Sequence, residues 1–234
     1  MLKPSRLSGI YFVVMLSSAA AIVSWPHSMS AQKPAAIGIF TGSTDVGETL
    51  PGKTVFLTGK GKSGGEYSVT GGGADMWGDA DAFHFSWLKF AGDAVFTADV
   101  QFPPGVTAPL EKAVLMFRAN LDPGAAYADI AVHADGHTTL QFRAVEGEKT
   151  ADSVLTQAGP VTAPIRLRIE RKGDVFTTWA GPADQPLTAT SSTTISLADA
   201  ATPVYVGIGV CAHDANSVAT VTFSNVKIER KPHP

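Results

Sequence analysis

Along most of this chain apolar residues fall on every second position, and glycine or proline interrupts the pattern at short intervals. That period of two is the signature of a half-buried strand, because successive side chains leave a strand on opposite faces. The clearest stretches are AFHFSWLKF (Ala82 to Phe90), DAVFTADVQF (Asp93 to Phe102), KAVLMFR (Lys112 to Arg118) and AYADIAVHA (Ala126 to Ala134). TTLQFRA (Thr138 to Ala144), IRLRIER (Ile165 to Arg171), DVFTTWA (Asp174 to Ala180), VYVGIGVCAH (Val204 to His213) and ATVTFSNVKIE (Ala219 to Glu229) continue the pattern. Asp135-Gly136 and Lys172-Gly173-Asp174 supply tight hairpin turns, where glycine accepts a positive φ. Longer connections follow from the Pro103-Pro104-Gly105 and Asp122-Pro123-Gly124 runs and from Pro160, Pro164, Pro182 and Pro186. So many strands in one chain predict an all-β domain, closed as a barrel or, as the first choice, paired as a sandwich, since a single open sheet leaves a face in water.

Ahead of the strands, Lys3 and Arg6 precede the apolar run GIYFVVMLSSAAAIVSW and the small polar segment PHSMSAQ. This three-part layout predicts a secretory signal peptide over residues 1–31, cut near Ser30 or Ala31, with an uncleaved anchor as the alternative. Residues 32–42 are expected to form a flexible tail, 43–230 the domain and 231–234 a C-terminal tail. The expected location is secreted or periplasmic, without stable membrane insertion after cleavage. Cys211 is the only cysteine, so no intrachain disulfide can form, and it is expected to be a small, partly buried residue. A net charge of −3 with 17% charged residues provides no basic field for nucleic acid.

The stretch GGGADMWGDADAFHF, Gly71 to Phe85, invites three readings. A dinucleotide loop needs its glycines between a strand and a helix, and here a strand follows. Asp75, Asp79 and Asp81 could surround calcium, but they lack a regular acidic loop, and aspartates cap turns readily, so a structural turn is favoured. No cofactor or metal is assigned.

YSVTGGGADMWGDADAFHFSW, GDAVFTADVQF, KAVLMFRANLDPGAAYADIAVHADGHTTLQFRA, IRLRIERKGDVFTTWAG and VYVGIGVCAHDANSVATVTFSNVKI together resemble a bacterial family of concanavalin-A-like lectin/glucanase domains of unknown function. FTGSTDVGETLPG resembles the start of the same laminin-G-like module, so the resemblance covers nearly the whole chain after the signal segment. It implies a curved two-sheet antiparallel jelly-roll sandwich. Because some relatives are TolB-associated, it also implies a candidate envelope protein partner.

Strand parity then sorts the side chains. With Phe83, Phe85 and Trp87, Leu115 and Phe117, Ile130 and Val132, Leu140 and Phe142, and Ile208 and Val210 inward, their polar neighbours face outward. If these strands share one sheet, His84, Arg118, Asp129, His133, Gln141, Arg143 and His213 form one polar face. Gly207 and Gly209 would leave room above it. Trp77 and Trp179 are candidate stacking platforms. Such a set suits a glycan, whose hydroxyls bind planar donors and acceptors while an aromatic ring covers the sugar's apolar face. The alternative is a structural salt-bridge network of Arg118, Asp129 and Arg143 with the histidines attached.

Catalysis has weaker support. Retaining glucanases need two carboxylates about 5 Å apart, and no ExDxE or ExDxxE run occurs. Glu146, Glu148, Glu170 and Asp129 are the candidate acids, and no G-x-S-x-G elbow is present. His133 and His137 in HADGH could pair on zinc or copper, but their spacing reveals no third ligand. The expectation is a non-catalytic binding module for a glycan or cell-wall polymer, with a glycoside hydrolase-like enzyme or a protein-interaction domain as alternatives.

Overall fold

The computed structural model describes residues 37–60, 63–106, 108–156, 163–187, 191–199 and 201–231, so the expected export segment lies outside the described residues. In chain order the strands are β1 (Gly42–Val46), β2 (Lys53–Lys60), β3 (Ser63–Gly73), β4 (Met76–Trp77), β5 (Ala80–Asp81), β6 (Phe83–Phe90), β7 (Ala94–Gln101) and β8 (Lys112–Arg118). They continue as β9 (Tyr127–His133), β10 (Thr138–Arg143), β11 (Ala151–Thr156), β12 (Ile165–Lys172), β13 (Val175–Pro182), β14 (Ser191–Thr194), β15 (Val204–Cys211) and β16 (Asp214–Arg230). No helix occurs among the described residues. One seven-stranded sheet runs β1-β6-β15-β8-β9-β10-β11, the second runs β14-β13-β12-β7-β16-β3-β2, and β4 and β5 form a separate hairpin. Every pairing is antiparallel. The chain crosses between the sheets from β1 to β2, β6 to β7, β7 to β8, β11 to β12, β14 to β15 and β15 to β16, while β8 to β11 and β12 to β14 run as meanders within one sheet, a jelly-roll sandwich.

The main core lies between the sheets. Leu115, Phe117, Ile130, Val132, Val206, Ile208 and Val210 of the first meet Phe96, Leu167, Ile169, Phe176, Val221 and Phe223 of the second, all fully buried. The inward assignments on β8, β9 and β15 therefore hold. The tail expected over residues 32–42 ends sooner. Ile37 and Phe40 bridge each other, Phe40 is fully buried in the core, and Gly42 already pairs with Trp87. The apolar contact that Phe40 makes with Tyr67, ring centroids 5.1 Å apart, draws this segment into the domain.

Strand β6 corrects the parity argument. In its register with β15, His84 stands opposite Val210 and Ser86 opposite Ile208, so His84 and Ser86 share the inward face of those core residues. Phe83, Phe85 and Trp87 point outward instead. They stay covered because Phe83 and Phe85 join a second apolar cluster with Val46, Met76, Val114, Met116, Tyr127 and Cys211 on the outer face of the first sheet. The room expected above Gly207 and Gly209 is thus filled: a Cβ on Gly209 would lie 2.8 Å from the Phe83 ring, and one on Gly207 would lie 2.9 Å from Phe85. Burial alone did not distinguish the faces of β6, because both are covered.

Candidate functional site

The cover on the outer face is the Asp- and Gly-rich stretch itself. Gly73, at φ 103°, turns the chain away from β3, where a Cβ would meet the Ala82 carbonyl at 2.0 Å, and Gly78, at φ 59°, makes the tip of the β4–β5 hairpin. The hairpin is pinned by Asp81. Arg143 grips its carboxylate at 2.7 and 3.0 Å, and Arg118 adds a third bond at 3.1 Å. Arg143 also donates to the Gly78 and Trp77 carbonyls, and the Thr150 amide donates to Gly78 at 2.7 Å. All three charged side chains are sealed from solvent. Arg118 and Arg143 therefore belong to a structural clamp whose anion is Asp81, with Asp129 outside it.

Beside the hairpin the outer face stays open. A groove of about 260 Å³ is floored by Lys112, His133, Thr139 and Gln141, walled by Asp75 and Trp77 from the hairpin, and flanked by His137, Asp152 and His213. Lys112 starts β8 and, though almost fully buried, is neutralised by a short ion pair with Asp75. The other oxygen of Asp75 lies 3.1 Å from His213 Nε2. His213 turns the chain between β15 and β16 at φ 57°, a left-handed conformation that costs a non-glycine residue about 1–3 kcal/mol. The His133 ring lies 5.5 Å from that of His137 and 6.2 Å from that of His213. His133 Nδ1–H donates to the Leu110 carbonyl at 3.1 Å, leaving Nε2 as an acceptor. Burial, aided by the Lys112 charge, lowers the His133 pKa to about 4, so the ring is neutral near pH 7.

Two polar groups here lack protein partners. Gln141 is 3% exposed, and its Oε1 accepts no hydrogen bond. Its cross-strand neighbour Asp129 is fully buried with both oxygens unpartnered. Desolvation pushes the Asp129 carboxyl well above the ordinary carboxylate range. A buried, unpartnered acceptor costs about 1–3 kcal/mol, so a native protein that keeps one invites a functional explanation.

The face expected from parity is therefore divided. His133, Gln141, His213 and Trp77 converge on the groove. Arg118 and Arg143 lie under the hairpin, and Asp129, on the same face of the sheet as Gln141, is fully buried and does not line the groove. His84 is on the opposite side of the sheet, where its Nδ1 meets Asp45 at 2.6 Å and its Nε2 meets Thr54 at 3.1 Å, joining β1, β6 and β2. Trp179 lies on the outer face of the second sheet, stacked by Arg168 at 4.5 Å, because Phe176, Thr178 and Ala180 take the inward positions of β13. Of the groove residues not foreseen, Lys112 and Thr139 share the outward parity of Arg118 and Gln141 and were readable by the same rule. Asp152 sits on edge strand β11, whose sequence has little apolar alternation.

The aspartates considered for calcium diverge as well, Asp81 to the two arginines and Asp75 to Lys112 and His213. The candidate catalytic carboxylates are scattered. Glu170 pairs with Arg168 at 2.7 Å on the second sheet, Glu146 accepts from Asn120 at 3.2 Å on an exposed turn, and Asp129 is sealed.

No protein-family model and no curated protein matches the chain. Solved structures do. A functionally unknown protein from Saccharomyces cerevisiae is 16% identical with a TM-score of 0.55, over 77% of this chain and 97% of its own. Carbohydrate binding module CBM66 from Bacillus subtilis is 17% identical with a TM-score of 0.52, over 83% of this chain and 99% of its own. A mutant of the GH43 protein BlXynB from Bacillus licheniformis is 12% identical with a TM-score of 0.51, over 71% of this chain and 33% of its own. At these identities the likeness establishes the fold, a concanavalin-A-like jelly-roll sandwich.

Proposed function

We propose that the domain binds a glycan in the groove between the β4–β5 hairpin and strands β8 to β11. The carrying observation is the buried, unpartnered Oε1 of Gln141 in the same groove as the neutral His133 and the exposed indole of Trp77. A sugar hydroxyl supplies the donor that Gln141 lacks and can also donate to His133 Nε2. Trp77, 39% exposed, offers a ring face to the C–H side of a sugar. The opening suits a short sugar segment rather than a folded partner. The likeness to CBM66 supports this choice. The export segment would carry the domain to where polysaccharides are met.

The test is calorimetric titration of the purified protein with a polysaccharide panel, repeated with Gln141→Ala and Trp77→Ala. A glycan that binds is expected to lose about tenfold or more in affinity with either variant, the effect of one unsatisfied polar group or one lost stacking surface. No binding across the panel, or unchanged affinity in both variants, overturns the reading.

A further inference from the structure

A second opening lies at the far end of the sandwich, where the sheets part. It has a volume of about 690 Å³ and is walled by Ile39, Phe56, Leu88, Phe90 and Ile228, with Arg230 at its edge. Leu88 and Phe90 continue the inward parity of His84 and Ser86, and Ile228 continues that of Val226. The wall is thus the inner face of both sheets beyond the point where they close on each other. Ile39, Phe90 and Ile228 pack against the main core but remain partly open, and Phe56 is 37% exposed. Among the described residues that line it, the side chains are apolar apart from Arg230, and a cleft of this size with one placed charged group is a usual form of small-ligand site.

Arg230 narrows the ligand's chemistry. Its guanidinium lies 4.4 Å from the Phe90 ring centroid, and its Nη1 donates to the Ala91 carbonyl at 2.6 Å, so it is held at the cleft. Arg118, Arg143, Arg166 and Arg168 each have a carboxylate within salt-bridge distance; among the described residues Arg171 and Arg230 have none, and of these two Arg230 is the one that borders the apolar cleft. An oriented cation without an anion beside an apolar cleft complements a molecule with a hydrocarbon tail and a carboxylate head. We infer that this cleft binds a long-chain fatty acid, the tail extending the core between the sheets and the carboxylate pairing with Arg230. Each methylene that the cleft removes from water adds to the affinity of the tail. This site is independent of the polar groove.

The experiment follows cis-parinaric acid fluorescence on the purified full chain and displaces the probe with palmitate or with hexadecanol, in wild type, Arg230→Gln and Phe56→Ser. Palmitate is expected to displace the probe about tenfold more effectively than hexadecanol in wild type, a preference that Arg230→Gln abolishes without moving hexadecanol. Phe56→Ser, at the exposed wall, should weaken both ligands together. Failure to take up the probe overturns the inference. So does a palmitate preference that survives in Arg230→Gln, which would assign recognition of the carboxylate to another group. A dimer in sedimentation that Phe56→Ser dissociates would also overturn it, by assigning the cleft to a second copy of the chain.

Discussion

Arg143 holds Asp81 through two parallel hydrogen bonds of 2.7 and 3.0 Å, with both side chains wholly removed from solvent. The pair joins a hairpin of two short strands to the face of a seven-stranded sheet and so shapes one wall of the candidate groove. Removing one member of a buried pair leaves an uncompensated charge, and here Asp81 serves two arginines. Asp81→Asn is expected to cost about 3–5 kcal/mol in urea-induced unfolding. A cost below about 1 kcal/mol would mean that the hairpin is held chiefly by the packing of Met76 and its neighbours.

The divided polar face separates binding from stability. His84→Ala removes the links to Asp45 and Thr54 and should lower stability by roughly 1–3 kcal/mol while leaving glycan affinity within about twofold. Gln141→Ala should weaken the glycan without lowering the melting temperature, because it removes a buried acceptor that has no partner in the free protein. Calorimetry and thermal melts on the same samples decide this.

His133 imposes an acid dependence. Its folded pKa of about 4 lies below the ordinary 6.5, so as pH falls from 6.5 the unfolded chain takes up a proton that the folded protein refuses. Stability is unaffected above that range, declines through it and levels off below pH 4, with a total loss of up to about 3 kcal/mol. The difference in unfolding free energy between wild type and His133→Gln, measured from pH 7 to pH 4, should trace this loss. A flat difference would show that the ring protonates freely in the folded state.

Asp129 acts with the opposite sign. Burial raises its carboxyl well above the ordinary carboxylate range, so the folded protein holds the proton to higher pH than the unfolded chain does and loses stability as the unfolded chain ionises on going to higher pH. Asp129→Asn, neutral in both states, is expected to be more stable than wild type at pH 7, with the gap shrinking as pH approaches 4. Equal stability at both pH values would mean that the carboxylate finds compensation in the folded protein.

Much of this was legible in advance. Leu115 and Phe117, Ile130 and Val132, and Ile208 and Val210 each declared an inner face, since nothing but a core explains apolar residues repeated on alternate positions of neighbouring strands. The same rule carried His133, Gln141 and His213 to a common surface. It failed at Phe83, Phe85 and Trp87, whose aromatic alternation is equally at home beneath a covering hairpin. The hairpin was hidden because β4 and β5 each span only two residues, too few to show any period. Asp129 was a reasonable partner for the arginines from its place on β9. Only the folded chain shows that Asp81, 62 residues from Arg143 in sequence, takes that position.

By itself, then, the sequence determined the class of fold, because a period of two with turn residues between its runs admits only sheets that must cover each other's apolar faces. The tertiary structure decided which polar residues meet solvent and which are sealed. Parity assigns a side chain to one of two faces of its strand, but whether that face is open, roofed by a hairpin or turned toward the other sheet depends on contacts between distant parts of the chain.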